Sequence, residues 1–494
     1  IHMINYVSTR GMRGSFSAAE AIVKGIADDK GLFVPTEIPS LTVNFDDLAK
    51  MTYQQIAKLV IGLFFSDFTG EEIDYCVDNA YDEKFEVPEI AKITKVGGAD
   101  FLELYHGKTA AFKDMALSIL PYLMTTSMKK LGVDKKICIL TATSGDTGKA
   151  ALEGFADVEN TEIIVFYPKD GVSEVQRRQM VTQEGKNVHV YAIEGNFDDA
   201  QTGVKKLFTD DNLKEELASK GYVFSSANSI NIGRLIPQVA YYVYAYSRLI
   251  AAGNIKSGDT INITVPTGNF GNILAAYYAM KMGIPVSKFI CASNENKVLT
   301  DFFSSGKYDT KRNFILTNSP SMDILISSNL ERLIYHLSNT EELRELMTSL
   351  DNTGEYTVSD SIRNGLSCFY AGFADMNLTC KTIGDLYKRE KYLVDTHTAV
   401  AYAVYEQYKK ETGDDRATVI ASTASPYKFP RSVASSIGLK IDEMSDFECV
   451  EKLNEFTGVK VPKAIDGLEN RVVKHDKVFA KDSMLDAVGD ALCL

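Results

Sequence analysis

Positive charge is scarce in this sequence. Lys and Arg number 53 against 66 Asp and Glu, a formal net charge of −13. That balance argues against a nucleic-acid-binding surface or an anionic-membrane partner, since both need clustered cations. A local cationic pocket for a small anionic ligand remains compatible with it. The seven cysteines (Cys76, Cys138, Cys291, Cys368, Cys380, Cys449 and Cys493) include no Cys-x-x-Cys pair. An odd, scattered set reads as reduced thiols, so a cytoplasmic protein is expected. The histidines are scattered too, no His/Cys group has zinc-ligand spacing, and no metal is expected. No apolar run is long enough to span a bilayer. The start has no basic segment followed by an apolar one, so no signal peptide is expected. Ile1-His2 before Met3 reads as a cloning remnant. There is no internal repeat and no low-complexity linker.

What is present is the material of a large globular protein. The length implies roughly three domains at ~150 residues each. The sequence is 45% hydrophobic and 24% charged, enough for a sizeable core. The first part, to about Gly98, has few strand signals. Helical periodicity covers Ala18 to Ala27, Phe45 to Phe65 and Glu71 to Ala80, with an extended Leu32-Phe33-Val34-Pro35. A small, mainly helical N-terminal domain is expected, ending near Val96-Gly97-Gly98-Ala99.

Strands and helices then alternate. Strands are predicted at 136–142, 162–166, 188–193, 222–225, 260–265, 289–291 and 418–421. Helices are predicted from Lys149, Ser173, Phe197, Ile232 and Asn272. This order implies an α/β fold with doubly wound, mostly parallel sheets and right-handed crossovers. In such sheets ligands bind beyond the carboxyl ends of the strands. Several strands here end in loops rich in Gly, Ser, Thr and Asn.

Chemistry is expected around Lys113, in Leu104-Tyr105-His106-Gly107-Lys108-Thr109-Ala110-Ala111-Phe112-Lys113-Asp114. Small residues surround it and an apolar run follows. A lysine at the head of a buried helix loses hydration, its pKa falls, and its amine can form a Schiff base with a carbonyl cofactor. The alternative is a lysine that snorkels from a helix end. Val265-Pro266-Thr267-Gly268-Asn269-Phe270-Gly271-Asn272 follows a strand and opens a helix. Its glycines and the helix N-terminus suit a phosphate, although an ordinary turn would read the same way.

Ser144-Gly145-Asp146-Thr147-Gly148-Lys149-Ala150 partly resembles a P-loop. It fails, because Thr143 replaces the first glycine and Ala150 the Ser or Thr that would hold magnesium. It reads better as a helix start that grips a carboxylate with Ser144, Thr147 and backbone N–H groups, with Asp146 facing the ligand. In Ser225-Ser226-Ala227-Asn228-Ser229-Ile230-Asn231-Ile232-Gly233-Arg234, the arginine can hold a phosphate dianion, or it is a surface cation on a polar loop. A hydroxyl of Ser422-Thr423-Ala424-Ser425-Pro426 can meet an acceptor such as a ring nitrogen.

Taken together, these loops and Lys113 resemble the fold-type-II pyridoxal-phosphate (PLP) enzymes, and among them the threonine synthase family. The matching stretches are 106–114, 141–148, 226–231, 266–272 and Asp395-Thr396-His397-Thr398-Ala399-Val400-Ala401-Tyr402. Tyr6-Val7-Ser8-Thr9-Arg10-Gly11 and Asp29-Lys30-Gly31-Leu32-Phe33-Val34-Pro35 match in the N-terminal part. The resemblance runs nearly the whole chain in order. It implies an N-terminal domain over 1–98, a region with the cofactor lysine and substrate groups over 99–255, and a large cofactor-binding region over 256–494.

The resemblance also implies roles. Lys113 would carry pyridoxal 5'-phosphate covalently. Gly268, Asn269, Phe270, Gly271 and Asn272 would cradle its phosphate. Thr423 would face the pyridine nitrogen, and Asp146 would lie near the phenolic oxygen. Ser144 and Thr147 would take the substrate carboxylate. Asn228, Ser229 and Arg234 would take the substrate phosphate. The implied reaction turns O-phospho-L-homoserine and water into L-threonine and phosphate, by γ-elimination and β-addition of water. A monomer is expected, with a homodimer as the alternative. Two positions depart from the family pattern. Lys108 stands where proline is usual, which could stiffen the loop differently or add charge toward the phosphate. Ser425 stands where histidine is frequent. The competing readings are a phospholyase of the same fold giving 2-oxobutyrate, and a PLP-binding regulator without turnover.

Overall fold

The apolar runs that read as strands sit inside two separate sheets. The computed structural model describes residues 2–170 and 172–494. One sheet is five-stranded, in the order Val478–Ala480, Val188–Glu194, Thr161–Pro168, Lys136–Ala142, Tyr222–Ser225, and every neighbouring pair is parallel. The other is six-stranded, in the order Phe369–Phe373, Val286–Ser293, Ile261–Pro266, Thr418–Ser422, Ala99–Glu103, Lys92–Val96. Its pairs are parallel except the last, an antiparallel hairpin. Ile261–Pro266 and Thr418–Ser422 are buried throughout, as interior parallel strands covered on both faces must be.

The N-terminal part is mainly helical. Tyr6–Ser8 and Phe33–Pro35 form a two-stranded antiparallel sheet. The predicted helix over 45–65 is broken in two, Phe45–Leu48 and Tyr53–Phe64. Thr52 restarts it, accepting from the Gln55 N–H while Gln55 accepts from the Thr52 N–H. The buried stripe Ile56, Ala57, Val60, Ile61 and Phe64 packs on the 20-residue helix Ile232–Ala251. That helix is buried over nearly its whole length and also contacts Asp114–Leu117 and Gly271–Lys281. It is the post against which the N-terminal part and the helices after Lys113 and Phe270 rest.

The three-way division of the chain does not follow the sheets. Residue 98 falls in the Gly97-Gly98 turn of the hairpin, both glycines at positive φ, so the expected boundary cuts a continuous element. Ala99–Glu103 belongs to the sheet of the 256–494 region. Conversely, Val478–Ala480 returns to the sheet of the 99–255 region and pairs with Val188–Glu194. Strands at 92–96, 369–373 and 478–480 carry no strong pattern in sequence. They are short or at sheet edges, where alternation is weak and neighbours decide the conformation.

Candidate active site

The site lies between the carboxyl ends of the two sheets. The segment after Ala99–Glu103 and the one after Thr418–Ser422 run together beyond their strands. Leu104 donates its N–H to the Ser422 carbonyl at 2.9 Å, Phe112 to Thr423 at 2.7 Å, and Ser425 to Ala110 at 3.0 Å. This backbone zipper, closed by a bridge between Ala111 and Ala424, brings Lys113 beside Thr423. Thr423 is 5% exposed, and its hydroxyl makes no hydrogen bond among the described residues, so it is free to meet a ligand.

Lys113 begins the short helix Asp114–Leu117. It borders the cleft and is partly exposed. Burial holds its amine down to about 8, partly opposed by the Asp146 charge and reinforced by Arg234 and Lys428. A neutral fraction on the order of a tenth is therefore available at pH 7, as Schiff-base chemistry needs.

From the other sheet, the strand Lys136–Ala142 leads into a helix that starts three residues earlier than expected, at Asp146. Gly145 makes the turn at φ +148°, a backbone region that suits only glycine. Thr143, which breaks the P-loop pattern, has a local role. Its hydroxyl accepts from the Gly145 N–H at 3.0 Å and the Gly148 N–H at 2.9 Å. The amides of Asp146 and Thr147 carry no hydrogen bond among the described residues. They remain available at the helix start, with Ser144 exposed and Thr147 half-buried beside them.

Asp146 is buried and held down to about 2. Burial alone would raise it. Lys428, followed by Lys113, reverses the sign. Lys428 donates to Asp146 at 2.8 Å, to the Gln179 side chain at 2.9 Å and to the Thr109 carbonyl at 3.1 Å. Sequence reasoning missed Lys428. The only hint is its place just after the Ser/Thr loop at a strand end, between Pro426 and Pro430.

The loop after Ile261–Pro266 has the features of a phosphate cradle. Gly268 approaches other backbone closely, and a Cβ there would lie 2.5 Å from the Ser321 carbonyl. The N–H groups of Gly268 to Asn272 carry no hydrogen bond among the described residues. Asn272 accepts from the hydroxyls of Tyr241 at 2.7 Å and Tyr242 at 2.5 Å, which leaves its buried Nδ2 unpartnered. Phe270 supplies backbone only. It adopts a left-handed φ of +70°, and its ring packs with Phe303 and Phe369 in the core.

Arg234 is 4% exposed in the helix that follows the Asn228 loop. It donates to the Ala227 carbonyl at 3.1 Å, its Nε has no partner, and no carboxylate pairs with it among the described residues. Burial pulls its guanidinium down to about 10, still protonated at neutral pH. Asn228 is exposed and Ser229 half-buried on the same loop.

Both departures from the family pattern are accounted for. Lys108 pairs with Glu153 at 3.2 Å, on a cavity of about 660 Å³ whose lining does not include Lys113, Ser144 or Arg234. It adds no charge to the cleft. Ser425 accepts from the Tyr427 N–H at 3.2 Å and so caps the turn that carries Lys428. In the Asp395–Tyr402 stretch, Asp395 caps the helix Thr396–Thr412, while Thr398 reaches the Ser422 hydroxyl at 3.1 Å.

A lysine with a lowered pKa, a glycine loop of free amides with an orphaned Asn donor, and an unengaged hydroxyl all lie at strand ends between the two sheets. They fit a phosphate-bearing aldehyde cofactor and define the class of fold-type-II PLP enzymes. The family described as "Pyridoxal-phosphate dependent enzyme" matches residues 92–361, "Threonine synthase N terminus" residues 5–81, and "Threonine synthase, C-terminal" residues 398–482. The chain belongs to the threonine synthase family of PLP-dependent enzymes. Threonine synthase of Schizosaccharomyces pombe is 33% identical over 94% of this chain and 93% of its own length. The PLP-bound threonine synthase of Brucella melitensis superposes with a TM-score of 0.87 at 33% identity, covering 99% of both chains. Human threonine synthase-like 1 is 37% identical over 87% of this chain, and the match spans 58% of that longer protein.

Proposed function

We propose that the chain converts O-phospho-L-homoserine and water to L-threonine and phosphate. The observation that carries this reading is Arg234, a buried guanidinium with an unpartnered Nε and no carboxylate beside it among the described residues. Leaving such a cation uncompensated is costly, and a substrate dianion would relieve it. Pyridoxal 5'-phosphate bound through Lys113 supplies the electron-accepting system that takes up carbanion charge.

The chain's own groups do the rest. Lys113, neutral in part near pH 7, takes the proton from the substrate α-carbon, and a second proton leaves the β-carbon, supplying the electron pair that expels the phosphate. Ser144, Thr147 and the free amides of Asp146 and Thr147 hold the carboxylate, at a helix start that favours negative charge. Asn228, Ser229 and Arg234 hold the phosphate and stabilise the charge that builds on it as it leaves the γ-carbon. Phosphate retained there is placed to act as the base for water at the β-carbon. Asp146, kept ionised by Lys428, would help hold the cofactor ring, and Thr423 would offer its hydroxyl to the ring nitrogen.

The decisive experiment incubates the protein with O-phospho-L-homoserine and assays phosphate, threonine and 2-oxobutyrate in one sample. Threonine and phosphate in equal amounts are expected. Phosphate matched by 2-oxobutyrate would assign a phospholyase, and no phosphate release would assign a binding protein without turnover. No helix among the described residues is long and apolar enough to cross a membrane. We place the enzyme in the cytoplasm, in keeping with its free thiols, as a monomer whose mass light scattering would check.

A further inference from the structure

The segment Ser327–Arg332 touches both loops read above as phosphate sites. We infer that Ser327, Asn329 and Arg332 are positioning residues that aim the anion-binding amides of the two loops together. For the substrate side this rests on the proposed role of Asn228, Ser229 and Arg234.

The contacts are all to carbonyls. Ser327 donates its hydroxyl to the Gly268 carbonyl at 2.6 Å, and Asn329 its N–H to the Asn269 carbonyl at 2.9 Å. Across the cleft, Asn329 Nδ2 donates to the Ser229 carbonyl at 3.2 Å. Arg332 donates to the Ile230 carbonyl at 2.6 Å, to Asn329 Oδ1 at 2.5 Å and to the Phe33 carbonyl at 3.0 Å. In a trans peptide the carbonyl and the following N–H point in opposite directions. Holding Gly268, Asn269 and Ser229 by their oxygens therefore turns the N–H groups of Asn269, Phe270 and Ile230 away from the clasp. Those three amides donate to no protein group among the described residues.

Asn329 and Arg332 are completely buried. Arg332 spends its donors on uncharged acceptors, two from distant segments and one, Asn329, in its own segment, with no carboxylate bridge among the described residues. Its neighbour Glu331 is taken by Arg10 at 2.9 Å and by the Thr9 hydroxyl at 2.5 Å. The N-terminal part thus anchors the clasp through Phe33, Thr9 and Arg10. A planar fork that reaches several acceptors at once is a task lysine cannot match.

The arrangement makes the two loops separable by substitution, which a general packing role would not. Ser327→Ala releases only Gly268. It is expected to weaken binding of pyridoxal 5'-phosphate to the cofactor-free protein about fivefold by absorbance titration, with the KM for O-phospho-L-homoserine within twofold of wild type. Arg332→Met releases the Ile230 carbonyl and frees Asn329 Oδ1, whose amide holds the Ser229 carbonyl. It is expected to raise that KM, and the inhibition constant for inorganic phosphate, at least tenfold, with cofactor affinity and kcat within threefold. Arg332→Lys should fall between. If Arg332→Met does not accumulate, Arg332→Lys and Asn329→Ala carry the measurement. Unchanged KM and phosphate inhibition in the Arg332 and Asn329 variants, with a raised KM in Arg234→Ala, would overturn the clasp and leave the substrate reading standing. An unchanged KM in Arg234→Ala as well would overturn both. Equal losses of cofactor affinity and KM in Ser327→Ala and Arg332→Met would reduce the segment to scaffolding.

Discussion

Lys428 donates to the Asp146 carboxylate across 2.8 Å, with both side chains sealed from solvent. The two come from opposite sides of the cleft. Asp146 starts the helix beyond the five-stranded sheet, and Lys428 sits in the turn beyond the six-stranded one. The pair ties the halves of the site together and sets the charge around Lys113.

Removing one partner should cost more than removing both. Asp146→Asn or Lys428→Met alone leaves a buried charge unpaired and should destabilise by about 3–5 kcal/mol. The double variant should lose clearly less than the sum, by urea denaturation at neutral pH. The pair also predicts acid behaviour. Asp146 is held below its unfolded value, so its stabilisation is complete above about pH 4 and is lost as the pH falls through about 2. Between about pH 4 and 2 the double variant should show a shallower fall in stability than wild type. Identical slopes would mean that the pair does not hold Asp146 down.

The lowered pKa of Lys113 gives a direct chemical test. In the cofactor-free protein, reductive labelling of Lys113 by pyridoxal and borohydride should rise with a midpoint near pH 8. An ordinary lysine would give a midpoint about two units higher. Asp146→Asn removes the charge that holds the amine up, so its midpoint should shift lower still. Lys113→Ala should abolish covalent cofactor attachment and turnover, read by mass spectrometry after reduction and by phosphate release.

Arg234→Ala removes the buried guanidinium proposed above to hold the substrate phosphate. The loss in kcat/KM should correspond to about 2–4 kcal/mol of transition-state stabilisation. The cofactor's absorption spectrum should be unaltered. A bleached or shifted spectrum would instead make Arg234 part of the cofactor site.

Lys108→Ala serves as the contrast. Its half-exposed pair with Glu153 is worth about 1 kcal/mol at most. Both KM for O-phospho-L-homoserine and kcat should stay within twofold of wild type. A tenfold rise in KM would show that Lys108 swings into the cleft during turnover.

Much of the site was legible because its signals are local. A lysine among small residues before an apolar run, glycines between a strand and a helix, and a Ser/Thr loop at a strand end each fit within about ten residues. Local signals misled where backbone and side chain part company. Phe270 lies in the candidate phosphate loop, yet its ring belongs to the core, and the charge of Lys108 is taken by Glu153. Lys428, Asn329 and Arg332 gave no usable signal, because their partners are far off in the chain. Lys428 meets Thr109 across 319 residues, and Arg332 meets Ile230 across 102.

By itself, the sequence determined the alternation of strands and helices, the mostly parallel sheets that follow from it, and the loops of small and polar residues at the strand ends. Hydrophobic periodicity and turn residues act over one element, so they can be read one element at a time. Only the tertiary structure decided which loops meet, which charges are paired and which are left for a ligand. It returned Val478–Ala480 to the five-stranded sheet, set Lys428 against Asp146, and left Arg234 without a carboxylate among the described residues. Those outcomes depend on burial and on pairs distant in sequence. Desolvation gives a charge its chemical meaning only once its neighbours are in place.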